Sequence, residues 1–193
     1  MQRRALMRLV IITAMSFLLS TLLIATHAKN SPNTVTPNNL QYGDYNLVLN
    51  GSGIRKKYFI DFYIGSLYLS EKNIDSEAII ESDQPMAIRL FILSSIITTE
   101  NMKETIINTF KQSGDNLTSI QAHIDTLVVA YEQGVRKGDV YEFINIPGSG
   151  VHIVRNKKRL VIIRSNEFKK ALFGIWLSKK PIQPSLKRQM LGI

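Results

Sequence analysis

Three features of the sequence predict an α+β fold. Two amphipathic stretches with helical spacing, 99–113 and 120–131, follow one another in mid-chain. Strand-like runs lie before them, at 45–69 and 85–93. Short apolar segments separated by turn residues lie after them, at 140–164. Alternating βαβ units would interleave strands and helices one by one. Consecutive helices between blocks of strands argue instead for α+β.

Taken in order, the chain opens with the basic segment Met1–Arg8, an uncharged apolar run Leu9–Ala25, and Thr26-His27-Ala28. This pattern predicts a secretory signal peptide over 1–28, with Thr26 and Ala28 as the small recognition positions. The apolar run is near the shortest that spans a bilayer. An uncleaved anchor is therefore the alternative, with Arg3, Arg4 and Arg8 on the cytoplasmic side. In both cases the remainder is exported. Residues 29–39 are rich in Asn, Pro, Ser and Thr and read as a flexible leader; 40–193 read as one domain.

Tyr45–Leu49 alternates as a short strand, and Asn50-Gly51-Ser52-Gly53 is a turn signal that predicts a hairpin. The run from Arg55 to Leu69 reads as one long strand. Gly65-Ser66 inside it suggests a bulge, a close ligand approach, or tight packing of a helix. Asp75–Glu81 is a short amphipathic helix. Pro85–Leu93 is a strand too apolar beyond Arg89 for an exposed edge.

Thr98-Thr99-Glu100 opens the first long helix, with Met102, Ile106 and Phe110 as its buried stripe and Gly114 at its end. Ile120, Ile124, Leu127, Val128 and Tyr131 form the inner face of the second, ended by Gly134. Val140–Ile146, Val151–Arg155 and Arg159–Arg164 are strands of an antiparallel meander, turned at 147–150 and at Asn156-Lys157. Ser165 or Asn166 caps a helix over Phe168–Leu177 with Phe168, Leu172, Ile175 and Trp176 inward. Pro181 and Pro184 break the chain before a last helix, Leu186–Leu191.

Composition excludes several functions. The net charge is +9, and residues 1–28 carry three arginines and no acid, so the exported part holds 21 basic and 15 acidic residues, net +6. Scattered basic residues on an exported chain make nucleic acid a poor partner. The densest cluster, Arg155–Arg159, reads as a solvated hairpin turn, with attraction to anionic lipid as a secondary meaning. The absence of cysteine excludes disulfides, thiolate ligands and a cysteine nucleophile. His27, His123 and His152 are too far apart in sequence for a multi-histidine metal site. No phosphate-binding glycine loop or serine elbow is present, and no cofactor is expected.

The residues offer one candidate site. In a regular strand Arg55 and Tyr63 share a face. A guanidinium and a phenol on an apolar sheet face suit an anionic or carbonyl head group. A surface arginine near a turn and a core tyrosine fit the same spacing. Asp61, on that face too, is a candidate internal counter-charge for Arg55.

Four segments carry a resemblance: Asn50–Lys57, Phe62–Leu69, Gly138–Gly150, and Phe168–Leu177 followed by Pro181 and Leu186-Lys187. In these the chain resembles the chalcone isomerase-like proteins, specifically a bacterial exported branch. The resemblance implies an open-faced β-sandwich: a large antiparallel sheet with helices on one face and a ligand cleft between them. With the N-terminal signal peptide, the expected location is the periplasm. The enzymes of the family cyclise a chalcone phenolate; the fatty-acid-binding relatives hold a carboxylate with an arginine and a tyrosine. The resemblance places Arg55, in Gly-x-Gly-x-Arg, as the cleft arginine. It places Tyr63 where the enzymes have threonine and the binders tyrosine. It puts Asn108 at the family's catalytic-site asparagine, Asn101 where the enzymes have tyrosine, and Ile175 in place of a substrate-contacting threonine. Changed polar groups favour binding over catalysis. The implied function is a non-catalytic exported binder of a fatty acid-like ligand. The alternatives are a chalcone isomerase-type lyase on a phenolic substrate, and a periplasmic interaction protein with a vestigial cleft and possible inner-membrane association.

Overall fold

The structure is a computed structural model and describes residues 35–113, 117–132 and 134–193, with the side chains of 99, 101, 112 and 113 excepted. The expected signal peptide, its cleavage site and the alternative anchor lie outside the described residues.

Seven strands form one antiparallel sheet in chain order. They are β1 (Asn39–Tyr42), β2 (Tyr45–Lys57), β3 (Ile60–Leu69), β4 (Met86–Ile92), β5 (Val140–Ile146), β6 (Gly150–Arg155) and β7 (Lys158–Ile163). Between β3 and β4 lies α1 (Ser76–Glu81); between β4 and β5 lie α2 (Thr99–Ser113) and α3 (Gln121–Ala130); α4 (Asn166–Leu177) and α5 (Pro184–Leu191) follow β7. All five α-helices among the described residues contribute buried side chains to one core cluster on one sheet face. The α+β prediction and the open-faced sandwich both describe this arrangement.

The helices form where the apolar spacing placed them. Met102, Ile106 and Phe110 of α2 are buried, as are Ile124 and Leu127 of α3 with Ile120 and Tyr131 flanking it. Asp75 caps α1 by accepting from the Glu77 and Ala78 amides, and Ser165 caps α4 by accepting from the Phe168 amide. Pro184, read as a breaker, instead occupies the first turn of α5, where a missing amide hydrogen costs nothing.

The opposite sheet face carries a smaller cluster, Leu47, Tyr68, Ala87, Ile144 and Val154. Residues 35–38, within the stretch read as a flexible leader, are held there. The Val35 carbonyl accepts from Arg89, the Pro37 carbonyl from the Tyr68 hydroxyl at 2.8 Å, and the Asn38 carbonyl from the Leu49 amide at 2.8 Å. Arg89 also pairs with Glu142 at 3.3 Å. His152 is buried between the Tyr42 hydroxyl (2.9 Å from Nδ1) and Ser149 (2.8 Å from Nε2), and burial lowers its pKa.

Two expectations about the first half of the sheet are corrected. Asn50–Gly53 is not a hairpin turn. Residues 45–57 are one strand, with a register shift between Leu49 and Gly51. A Cβ on Gly51 would lie 2.2 Å from the Gln189 carbonyl oxygen, so glycine here admits the backbone of α5, not a reversal. The Asn50 side chain ties this contact by donating to the Met190 carbonyl at 3.0 Å. Gly65 is less demanding, since its Cβ would meet Leu186 at an ordinary 3.5 Å.

The run from Arg55 to Leu69 is likewise not one strand. It reverses at Tyr58 and Phe59, with φ of 49° and 66°, and β3 returns along β2. No Gly, Asn or Pro marks this turn. Two aromatic residues occupy left-handed backbone conformations that cost L-residues about 1–2 kcal/mol each.

Candidate functional site

The hairpin makes Arg55 and Tyr63 direct cross-strand partners. Cross-strand partners always share a face, so the two side chains point the same way through pairing rather than through spacing along one strand. Their face is the helix-covered one, and a cavity of about 160 Å³ opens between it and α2, α3 and α4. Arg55, Lys57, Phe62 and Tyr63 line it from the β2–β3 hairpin. Met102, Thr105, Ile106 and Thr109 line it from α2, and Leu172, Ile175 and Trp176 from α4. Leu90, Leu127, Tyr131 and Phe143 are further walls.

Arg55 is held at the rim by the segment before α5. The Gln183 side-chain oxygen accepts from Arg55 Nη1 at 3.0 Å and from the Lys56 amide at 2.9 Å. The Gln183 amide nitrogen donates to the Ile54 carbonyl at 3.1 Å. Arg55 also donates to the Lys56 carbonyl. Asp61 is not its counter-charge: the register sets Asp61 opposite Lys56, and the two pair at 2.8 Å. The lining therefore contains two cations, Arg55 and Lys57, and no carboxylate.

Tyr63 is buried, and its hydroxyl oxygen accepts from the Trp176 indole N–H at 3.0 Å. That bond leaves the phenolic hydrogen to donate. Burial pushes the Tyr63 pKa up to about 12, against the opposing effects of the Trp176 bond and the Arg55 charge. The phenol is a hydrogen-bond donor at any physiological pH. Tyr131, on the same wall, is raised well above the usual tyrosine value by burial and by the neighbouring Tyr141 and Tyr63. Tyr131 and Tyr141 stack at 4.7 Å.

Of the residues singled out in the sequence, Arg55, Tyr63 and Ile175 line the cavity together. Asn108 does not. It is exposed on α2 and absent from the lining, because the inward stripe runs through Met102, Ile106 and Phe110, and position 108 lies about 200° around the helix from 106. The Asn101 side chain lies outside the described residues. Sequence reasoning missed Trp176 and Tyr131 as polar lining, having read both as core, and missed Thr105 and Thr109. The last two carried a signal: threonines one turn apart, beside the Met102–Ile106 stripe.

The chain matches the description "Chalcone isomerase-like" over residues 28–192. It belongs to the chalcone isomerase-like family. A fatty-acid binding protein of Arabidopsis thaliana has a similar fold, with a TM-score of 0.64 and 15% identity, covering 78% of this chain and 89% of that one. No curated protein matches this member of the family in sequence. Among the described residues, no three His, Cys, Asp or Glu side chains are grouped to hold a metal ion.

Proposed function

We propose that this chalcone isomerase-like protein binds a lipophilic ligand with an anionic head, a fatty acid or similar amphiphile, without transforming it. The observation that carries the reading is the cavity lining: two cations, no carboxylate, and a buried phenol with its hydrogen free to donate. Arg55 pairs with the head group, Tyr63 hydrogen-bonds it, and Ile97, Met102, Ile106, Leu172 and Ile175 surround the tail. The fatty-acid binding of the Arabidopsis protein, similar in fold, supports the same reading. Cavities of about 150 Å³ accommodate ligands the size of benzene. A long tail must therefore leave through the mouth or part α2 from α4. The exposed position of Asn108 removes a polar group that chalcone cyclisation would call on. The reading includes export to the periplasm by the N-terminal segment, which fractionation of the expressing cell tests.

Displacement of a fluorescent fatty acid tests the binding. Arg55→Ala removes a charge-assisted contact worth about 1.5–3 kcal/mol, so affinity falls about 10- to 100-fold. Unchanged affinity in Arg55→Ala overturns the assignment. Tyr63 keeps its proton up to about pH 12, so affinity is flat through neutral and mildly alkaline pH. It falls only on acidification, as the ligand carboxylate takes up a proton and loses its attraction to Arg55. A loss of affinity on raising the pH from neutral to mildly alkaline values would contradict the role given to Tyr63.

A further inference from the structure

In a meander of antiparallel strands, every second connection emerges at the same end of the sheet. The β2–β3 turn, the loop after β4, the lead-in to β5 and the β6–β7 turn all lie at one end here. The cavity opens toward that end, since Lys57, Phe62 and Ile96 line it. Two further properties converge there.

The first is exposed apolar surface. Six large hydrophobic side chains are exposed among the described residues, and three of them, Tyr58, Phe59 and Ile96, are at this end. Tyr58 and Phe59 are 81% and 105% exposed. They pack on nothing that would explain their unfavourable backbone angles, apart from the Lys57 amine 5.4 Å from the Tyr58 ring centre. Backbone strain that the fold does not use points to a role outside the fold.

The second is charge. Lys57, Arg136, Lys137, Lys157 and Lys158 are all exposed in these connections. The acids near them are largely engaged: Asp61 with Lys56, Asp139 with Arg155, and Glu132 with Lys103. Glu100, in the first turn of α2, is exposed. The connections at the opposite end carry Asp44, Glu71, Asp75 and Asp83 beside Lys72 and Arg164, with Glu77 and Glu81 paired to Lys179 and Lys170. The exposed charge at the cavity mouth is thus mainly basic, and at the far end it is mixed.

We propose that the mouth end docks on an anionic lipid bilayer, with Tyr58 and Phe59 entering the interface and the surrounding lysines and Arg136 over the head groups. Aromatic side chains favour the interfacial zone, and each Lys or Arg near an anionic surface adds to the attraction within a Debye length. The basic residues are spread along three connections rather than gathered round a groove, which suits an extended charged surface. Docked this way, the cavity faces the membrane, and an amphiphile passes between them without crossing water. The inference stands on the surface alone and is read without any ligand in the cavity.

The test uses the full chain with phosphatidylglycerol-containing and pure phosphatidylcholine vesicles. In F59W the introduced indole reports on the tip, because Trp176 is buried. We expect bromine-labelled anionic vesicles to quench the new indole, with the effect lost at high salt and on neutral vesicles. Tyr58→Asn/Phe59→Gly, which suits the turn better, is expected to weaken anionic-vesicle binding at least about tenfold while the protein folds as well or better. Lys157→Glu/Lys158→Glu is expected to weaken it on anionic vesicles only. An indole that stays unquenched while the chain sediments with vesicles overturns the proposal. So does Tyr58→Asn/Phe59→Gly binding as tightly as the parent. Self-association through the tip without lipid, abolished by the same variant, would assign the surface to a second copy instead. Loss of fatty-acid displacement with vesicle docking intact, or the reverse, separates this proposal from the cavity reading.

Discussion

The β2–β3 and β6–β7 hairpins reverse the chain with nearly the same backbone. Tyr58 and Phe59 have φ of 49° and 66°; Asn156 and Lys157 have 49° and 69°. Only the second uses residues suited to the task. Asn tolerates the left-handed region, and Asn156 is also bonded into the fold. Its side-chain oxygen accepts from the Val140 amide at 2.8 Å, and its amide nitrogen donates to Asp139 at 2.8 Å. Asp139 in turn accepts from Arg155 and from the Arg136 amide, each at 2.8 Å. The residues of the first turn have no such bonds: Gln183 holds only the strand before them, at Ile54–Lys56, and the ion pair Lys56–Asp61 is half-exposed. One turn is built for stability, and the other holds aromatic side chains in solvent at a cost to it.

If that contrast is right, the largest effect lies beneath the β6–β7 turn. Asp139→Ala removes the buried ion pair with Arg155 and two hydrogen bonds from amides, and should cost about 3 kcal/mol, whereas Asp61→Ala should cost at most about 1 kcal/mol. Urea denaturation of both variants decides it, and equal losses would erase the distinction. Next, copying the aromatic tip with Asn156→Tyr/Lys157→Phe should cost about 2 kcal/mol, from lost hydrogen bonds and added strain. A loss below about 0.5 kcal/mol, within ordinary surface variation, would mean that the residues at that turn do not matter. The smallest effect has the opposite sign. Tyr58→Asn/Phe59→Gly should raise stability by about 1 kcal/mol, because Asn-Gly is the favoured pair for this turn. A lower melting temperature would show that the aromatics do stabilise the fold.

The same two turns explain what could be read from the sequence. Asn156-Lys157 between alternating strands announced the meander, and it is there. The fourth-residue recurrence of Met102, Ile106 and Phe110 fixed the inner face of α2. Tyr58-Phe59 gave no turn signal because its residues disfavour the conformation they adopt, so two strands read as one. Gly51 and Gly53 gave a false signal for a related reason. Glycine marks either a reversal or a close approach, and the approaching helix lies 140 residues away for Asn50 and Met190. Arg55 and Tyr63 were expected on one face by counting along a strand, and they share a face by pairing across two, because the register shift between Arg55 and Lys56 sets Arg55 opposite Tyr63 rather than Phe62. Trp176 and Tyr131 were legible as buried but not as lining, because apolar periodicity reports the inward direction and not whether the space there is filled.

The Gln183 bridge to Ile54, Arg55 and Lys56 has a consequence for the order in which the protein matures. The arginine at the rim is made early in synthesis, but the side chain that orients it arrives 128 residues later, together with the helix that rests on Gly51. Contacts of such long separation form late and slowly. A nascent chain can therefore carry its sheet and its tyrosine and still lack an oriented guanidinium. The Arg55 side of the cavity is complete only once the tail has closed over β2.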